Sequence, residues 1–186
     1  MRRWRLGCLA AGGALTLSLG AVCVALVLMA HPGHMPGIAS RDVEHLHPEF
    51  RSRITRVLSR LEQQGFAPEV RETWRDADRQ AYYRRMGWSQ TRRGFHTLMQ
   101  ADGSPGALAA DIGHTGLSPA RPQDREALAT FYRALLAAAR EEGLTTGATW
   151  SHRNPIWAAH DLGWDPGHVQ PAHLSLADAR RGIRAF

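Results

Sequence analysis

The chain has 186 residues, a formal net charge of +6, and 44% hydrophobic and 22% charged residues. This length fits one domain with an additional N-terminal segment, and the sequence contains no repeat or low-complexity tract beyond one apolar segment. All 23 basic residues are arginine, and they are scattered among acidic residues rather than clustered with aromatic ones. This distribution argues against a nucleic-acid-binding protein.

The N-terminal segment is apolar and follows a basic cluster. Residues 6–30 carry no charged side chain, and as a helix they would span about 37 Å at about 1.5 Å per residue, enough to cross a bilayer core. Arg2, Arg3 and Arg5 precede the segment and should hold the N-terminus in the cytoplasm, so that the rest of the chain is exported. We expect residues 1–30 to be an uncleaved transmembrane anchor, with a cleaved signal peptide as the alternative.

Both cysteines, Cys8 and Cys23, lie in this apolar segment. The exported part therefore cannot depend on a disulfide, and a metal bound there must be held by histidine and carboxylate side chains. Proline and glycine residues indicate a linker over residues 31–42, which leaves residues 43–186 as the folded domain.

Apolar periodicity, helix caps and glycine or proline boundaries predict the secondary structure of this domain. The clearest helix, over 122–142, has Leu128, Phe131 and Leu135 on one face. The predicted elements are, in order, a helix over 48–64, a strand over 66–73, a helix over 76–85, a loop over 88–106, a strand over 107–112, the helix over 122–142, a strand over 145–150, a strand near His168 and a helix capped by Ser175. Because helices and strands do not alternate strictly, we predict an α+β domain with a small antiparallel sheet flanked by helices.

Four residues form a pattern with chemical meaning. Asp165 lies three residues before His168, and His96 and Asp111 lie far upstream, Asp111 in a predicted buried strand. A catalytic zinc site uses three protein ligands, leaves the fourth position for water and needs a base nearby. Two histidines and two carboxylates can supply that set. With Val169 in a strand, a turn that begins at Asp165 is expected to bring its carboxylate beside the metal.

Four motifs in this order resemble the zinc peptidases that include the VanY-type D-Ala-D-Ala carboxypeptidases and the L-alanyl-D-glutamate endopeptidases of phages and bacteria. The motifs are LEQQGFAPEVRETWRDADRQ, GFHTLMQADGSPGALAADI, GLTTGATW and WDPGHVQ. The resemblance covers about residues 43–171, so that residues 43–186 are expected to form a single zinc-peptidase domain.

The resemblance implies a role for each site residue. His96, Asp111 and His168 would bind Zn²⁺, for which imidazole and carboxylate are proper donors. Asp165 would take the proton of the metal-activated water and pass it to the leaving amine. Arg75 would bind the carbonyl oxygen as negative charge develops on it.

The second ligand has two competitors. The family usually places this carboxylate seven positions after the histidine, whereas Asp111 comes fifteen positions after His96 and Asp102 comes six. We prefer Asp111 because it lies in the predicted buried strand, which makes residues 100–105 a loop insertion. His114 is the other competitor, since Asp111-x-x-His114 repeats the spacing of Asp165-x-x-His168.

The resemblance implies a zinc-dependent peptidase that hydrolyses the stem peptides of peptidoglycan, and we expect this peptidase to be a monomer that is exported through its N-terminal segment. Aspartate rather than glutamate at Asp165 favours an endopeptidase that cuts L-Ala from D-Glu, with a D,D- or L,D-carboxypeptidase as the alternative. A wall-binding module that keeps zinc without hydrolysis is a second class, which an intact Asp165 disfavours. We expect Tyr82 and Tyr83 to pack against their own helix, Trp150 to lie in the core, and Trp164 to lie in the core or to form a wall of the cleft.

The charge asymmetry around the apolar segment predicts the topology. A periplasmic reporter fused after Phe186 should be active, because the arginines before residue 6 hold the N-terminus inside. Activity of a cytoplasmic reporter alone at this position would contradict export.

Overall fold

The computed structural model describes residues 35–152 and 154–181. The predicted anchor over residues 1–30 lies outside the described residues, as do residues 31–34 of the predicted linker. No helix in the described part of the chain is long and apolar enough to cross a membrane.

The described residues form helices and a single four-stranded sheet. The helices are α1 (Pro48–Gln63), α2 (Ala77–Arg85), α3 (Arg125–Glu141), α4 (Pro155–Ala158) and α5 (Leu176–Arg180), with 3₁₀ turns at Val43–His45, Phe95–Thr97 and Pro122–Asp124. The strands are β1 (Pro68–Glu72), β2 (Ala110–His114), β3 (Leu144–Gly147) and β4 (Asp165–Pro171).

Local chemistry fixes the ends of the first two helices. Pro48 occupies the first turn of α1, where its missing N–H would have no helical partner. After α1, Gly65 has a φ of +84°, which favours glycine. Asp76 caps α2 by accepting a hydrogen bond from the backbone N–H of Arg79 at 2.8 Å, as predicted from the sequence.

The sheet has the strand order β1-β2-β4-β3, and every neighbouring pair is antiparallel. This agrees with the predicted α+β class and small antiparallel sheet. In the central pair, Ala110 lies opposite Val169 and Asp111 lies opposite His168. Because side chains alternate across a strand, these two pairs face opposite sides of the sheet.

The core fills the side of the sheet that Ala110 and Val169 face. Helix α3 packs against β3 and β4, and α1 packs against α3 and β1. Their buried side chains join those of the sheet in one cluster that includes Phe50, Ile54, Leu61, Leu128, Phe131, Leu135, Ala110, Ile112, Leu144 and Val169. The helices therefore support one face of the sheet and leave Asp111 and His168 on the other.

Two predicted strands have different bounds in the structure. The strand predicted over 107–112 begins only at Ala110, because Ala107 and Leu108 form their backbone hydrogen bonds with His45, His47 and Phe95 instead. The strand predicted over 145–150 ends at Gly147, since residues 149 and 150 turn back with N–H groups bonded to residues 146 and 147.

Two further sequence predictions were wrong in detail. The long helix does not start at Pro122 as an α-helix: residues 122–124 form a 3₁₀ turn, and α3 starts at Arg125. The turn predicted at Asp165 is part of β4 instead, and Asp165 pairs with Gly147 at a shift in the strand register.

Candidate metal centre

Three donor atoms converge on the open face of the sheet. His96 comes from the 3₁₀ turn Phe95–Thr97, Asp111 from β2 and His168 from β4. Asp111 and His168 are direct cross-strand neighbours, and such pairs hold their side chains close together. The backbone N–H of Arg75 donates to the carbonyl oxygen of His96 at 3.1 Å, which ties the 3₁₀ turn to the end of β1.

The separations between these atoms fit one metal ion. Asp111 Oδ1 lies 3.2 Å from His96 Nε2 and 3.0 Å from His168 Nδ1, and the two nitrogens are 3.3 Å apart. Ligands bound at the usual zinc distances in a tetrahedral site lie about 3.3 to 3.4 Å from one another. The three atoms are therefore close to the spacing that zinc would require.

Hydrogen bonds fix the tautomer of both histidines. His96 Nδ1 lies 2.6 Å from the carbonyl oxygen of Thr73, and His168 Nε2 lies 3.0 Å from Oε1 of Gln170. These oxygens only accept, so each of these ring nitrogens carries the proton. In the neutral rings, His96 Nε2 and His168 Nδ1 then present lone pairs to each other and to the Asp111 carboxylate, an arrangement that a cation stabilises.

The directions of two pKa shifts indicate that the site favours positive charge. Burial raises the pKa of Asp111, but the charges and hydrogen bonds that His96 and His168 supply when they are protonated outweigh it and hold the pKa well below its ordinary value. Burial lowers the pKa of His168, but the hydrogen bond and charge of Asp111 outweigh it and raise the pKa. Both shifts have the sign expected of a site that stabilises a cation between its donors.

Asp165 lies beside this cluster at a close contact between β3 and β4. A Cβ at Gly147 would overlap the carbonyl oxygen of Asp165, so only glycine allows the two strands to meet at the register shift. Burial, followed by the negative charge of Asp111, raises the pKa of Asp165 to about 6. The Asp165 carboxyl group therefore has a much higher proton affinity than an exposed aspartate.

Arg75 is held in place by two partners. Its Nη1 lies 2.7 Å from Glu72 Oε1, and its guanidinium carbon lies 4.8 Å from the centre of the Tyr83 ring. The Tyr83 hydroxyl donates to the other Glu72 oxygen at 2.8 Å. Glu72 and Arg75 are both buried, so the charge of each is stabilised by the other.

One cavity of about 460 Å³ contains all five predicted site residues. Asp111 keeps 28% of its side chain exposed while His96 is only 1% exposed, so the cluster is closed on one side and accessible from the cavity. The lining residues are Arg75, Gln80, Tyr83, Trp88, Ser89, Gln90, Thr91, Gly94, Phe95, His96, Asp111, Trp150, Trp164, Asp165, His168, Gln170 and Leu176.

The two competing ligands lie elsewhere. Asp102 accepts hydrogen bonds from the backbone and side chain of Ser104, in a turn closed by a Gln100 N–H to Ser104 O bond of 2.8 Å. His114 uses both ring nitrogens on the backbone, Nε2 accepting from Ala67 N–H and Nδ1 donating to Thr115 O. Neither side chain faces the cavity.

Several residues of the site were missed from the sequence. Trp150 was expected in the interior but lines the cavity, with its ring 5.3 Å from that of His168. Tyr83, which was expected to pack against its own helix, also lines the cavity. Gln170 could have been found, because it comes two positions after His168 in a strand and so shares its face. The carbonyl oxygen of Thr73 has no signal in the sequence.

No protein-family model matches this chain, and no curated protein sequence matches it either. The L-Ala D-Glu endopeptidase ChiX of Serratia marcescens is similar in structure, with a TM-score of 0.44 and 22% identity over 74% of this chain and 86% of that one. The LD-carboxypeptidase LdcB is similar with a TM-score of 0.40 and 12% identity over 75% of this chain and 66% of that one. Because both TM-scores are low, we base the function on this chain's own residues.

The donor set predicts which substitutions weaken metal binding. Replacing His96, Asp111 or His168 with Ala removes one of three donors and should weaken zinc binding by more than the roughly tenfold to hundredfold loss typical of changes outside the ligand set. Competition with a chelator measures the affinity. Asp102→Ala and His114→Ala are the controls. Unchanged affinity in Asp111→Ala, with a loss in either control, would show that the donor set is wrong.

The hydrogen bond from His168 to Gln170 gives a finer prediction. Gln170→Leu removes the acceptor that orients the imidazole and should weaken zinc binding by about tenfold. Gln170→Glu keeps an acceptor at the same position and should bind zinc at least as well as the wild type. Equal zinc affinity in the Leu variant and the wild type would show that this hydrogen bond does not orient the ligand.

Proposed function

We propose that this protein is a zinc-dependent peptidase that hydrolyses a peptide bond in the stem peptides of peptidoglycan. One observation carries the proposal: the His96–Asp111–His168 donors, the half-buried carboxyl group of Asp165 and the buried Arg75 line the same cavity. When bound, zinc supplies a Lewis acid that polarises a carbonyl group and makes a water molecule more acidic. The proposed hydrolysis uses water as the nucleophile and therefore requires neither a redox cofactor nor a covalent intermediate with the protein.

Asp165 is the proposed general base and acid. Its pKa of about 6 leaves it mostly ionised at neutral pH yet able to hold a proton, which is the property of an efficient proton carrier near the working pH. Asp165 would take a proton from the attacking water and deliver it to the departing amine. Gly147 supports this role, since it lets β3 approach the Asp165 backbone and fixes the position of the acid.

Arg75 is the proposed stabiliser of the carbonyl oxygen. The Glu72 carboxylate and the Tyr83 ring hold its guanidinium at the cavity wall. Because the group is already oriented, it does not have to reorganise as negative charge develops on the substrate. Its Nε is buried and has no hydrogen-bond partner in the described residues.

The wall substrate is supported by the resemblance of four motifs in this chain to those of peptidoglycan peptidases, and the cavity of about 460 Å³ is large enough for a short peptide. Within this class we propose cleavage between L-Ala and D-Glu, and cleavage of a C-terminal D-Ala is the alternative. Mass spectrometry of digested muropeptides distinguishes them, because each bond gives products of different mass. The same proposal places the protein outside the cytoplasm, attached to the membrane by its predicted N-terminal anchor.

Asp165→Asn separates metal binding from catalysis. Asparagine has nearly the same shape but cannot carry the proton, so the variant should keep its zinc while turnover of muropeptides falls by at least about a hundredfold. Zinc content and cleavage rate are measured on one preparation, with Asp102→Asn as a control that should behave like the wild type. Near-normal turnover would eliminate Asp165 as the base, and loss of zinc would make it a ligand.

A further inference from the structure

A second depression lies next to the metal cavity and is lined by arginines. It has a volume of about 600 Å³, and its wall is formed by the end of α2 and the segment that follows it. Arg84, Arg85 and Arg92 contribute three cationic side chains, and no acidic residue lines the depression. We call it the arginine cavity.

These three arginines differ from most others in the described residues. Many of the other arginines are paired with carboxylates, such as Arg56 with Glu142 at 2.8 Å and Arg121 with Asp124 at 2.6 Å, and Arg71, Arg125 and Arg180 donate to backbone carbonyl oxygens. No carboxylate in the described part of the chain forms an ion pair with Arg84, Arg85 or Arg92. The arginine cavity is therefore a concentration of positive charge that the protein itself does not neutralise, which attracts an anion.

The arginine cavity and the metal cavity share part of their walls. Ser89 and Gln90 line both. Gln80, in α2, donates through Nε2 to Ser89 Oγ at 2.9 Å and to Thr91 O at 2.8 Å, which fastens the shared wall to the helix that carries Arg84 and Arg85. The two cavities are therefore neighbours, and the proposed ligand would extend from the metal cavity across this shared wall.

We propose that the arginine cavity is a substrate subsite that binds a free carboxylate of the peptide being cleaved. The inference rests on the proposed function and names a feature that the substrate must have. Guanidinium groups bind carboxylates through paired hydrogen bonds of fixed geometry. Stem peptides offer such carboxylates, because D-Glu is joined through its side chain and keeps its α-carboxylate free, and a diamino acid at the third position keeps another.

The test compares substrates that differ only in this charge. Stem peptides with both carboxylates free, and with each carboxylate singly converted to an amide, are titrated by calorimetry into the metal-free full-length protein, where no turnover occurs. The cleavage rates of the zinc-loaded protein are measured in parallel. The variant is Arg84→Gln/Arg85→Gln/Arg92→Gln. The charge-matched control is Arg41→Gln/Arg133→Gln/Arg140→Gln, three exposed positions that line none of these cavities.

Amidation of one carboxylate should weaken binding to the wild type and the control by at least about tenfold, as expected for a lost charge-assisted contact. Binding to the arginine variant should be weaker and insensitive to amidation. Equal sensitivity of binding to amidation in all three proteins overturns the inference. Polyphosphate is titrated in the same way, and an arginine variant that loses affinity only for polyphosphate also overturns the inference, because it would assign the cavity to a phosphate polymer. If the wild type binds the peptides with selectivity for the carboxylate but none of the three proteins cleaves them, this subsite is supported and the proposed peptidase is contradicted. If the peptides are cleaved at a rate that amidation does not change, the proposed peptidase is supported and this subsite is contradicted.

Discussion

The site depends on one electrostatic constraint: three lone pairs face one another within 3.3 Å. In its neutral form each imidazole has a single N–H group, and those of His96 and His168 donate to Thr73 O and Gln170 Oε1, respectively. Among the described residues, no proton then lies between these two ring nitrogens and Asp111 Oδ1, and a positive charge at this point would relieve the repulsion of the three lone pairs. A proton can supply part of it, and a divalent cation supplies it fully at a spacing that already fits zinc.

The fold serves this constraint through the two faces of a small sheet. Helices α1 and α3 bury one face, and the alternation of strand side chains places Asp111 and His168 on the other. The antiparallel register sets these two residues directly opposite each other. The register shift between β3 and β4 then places Asp165 in the same cavity as these donors, so that the proposed metal binding and the proposed proton transfer would share one support.

The sequence predicted the helices well because amphipathic spacing and caps are local signals, as the match of α1 and of the Asp76 cap shows. It also predicted that His96, Asp111 and His168 would meet, although the spacing from His96 to Asp111 was unusual. The structure accounts for that spacing. Residues 99 and 105 pair across a turn, so the residues between them form a loop insertion, and Asp102 lies in this turn, away from the metal cavity. The roles of Thr73 O and Glu72 depend on tertiary contacts, which local patterns do not encode. The sequence does not predict the arginine cavity, because Arg84, Arg85 and Arg92 line one cavity only when α2 and the segment after it fold together.

The structure of the zinc-loaded protein tests the central claim most directly. Crystallography with anomalous scattering at the zinc edge would locate the ion and its ligands. We predict one zinc ion bound by His96 Nε2, Asp111 Oδ1 and His168 Nδ1 at about 2.0 to 2.2 Å, with the hydrogen bonds to Thr73 and Gln170 intact. Zinc held by other residues, or by the opposite nitrogen of either histidine, would contradict the account.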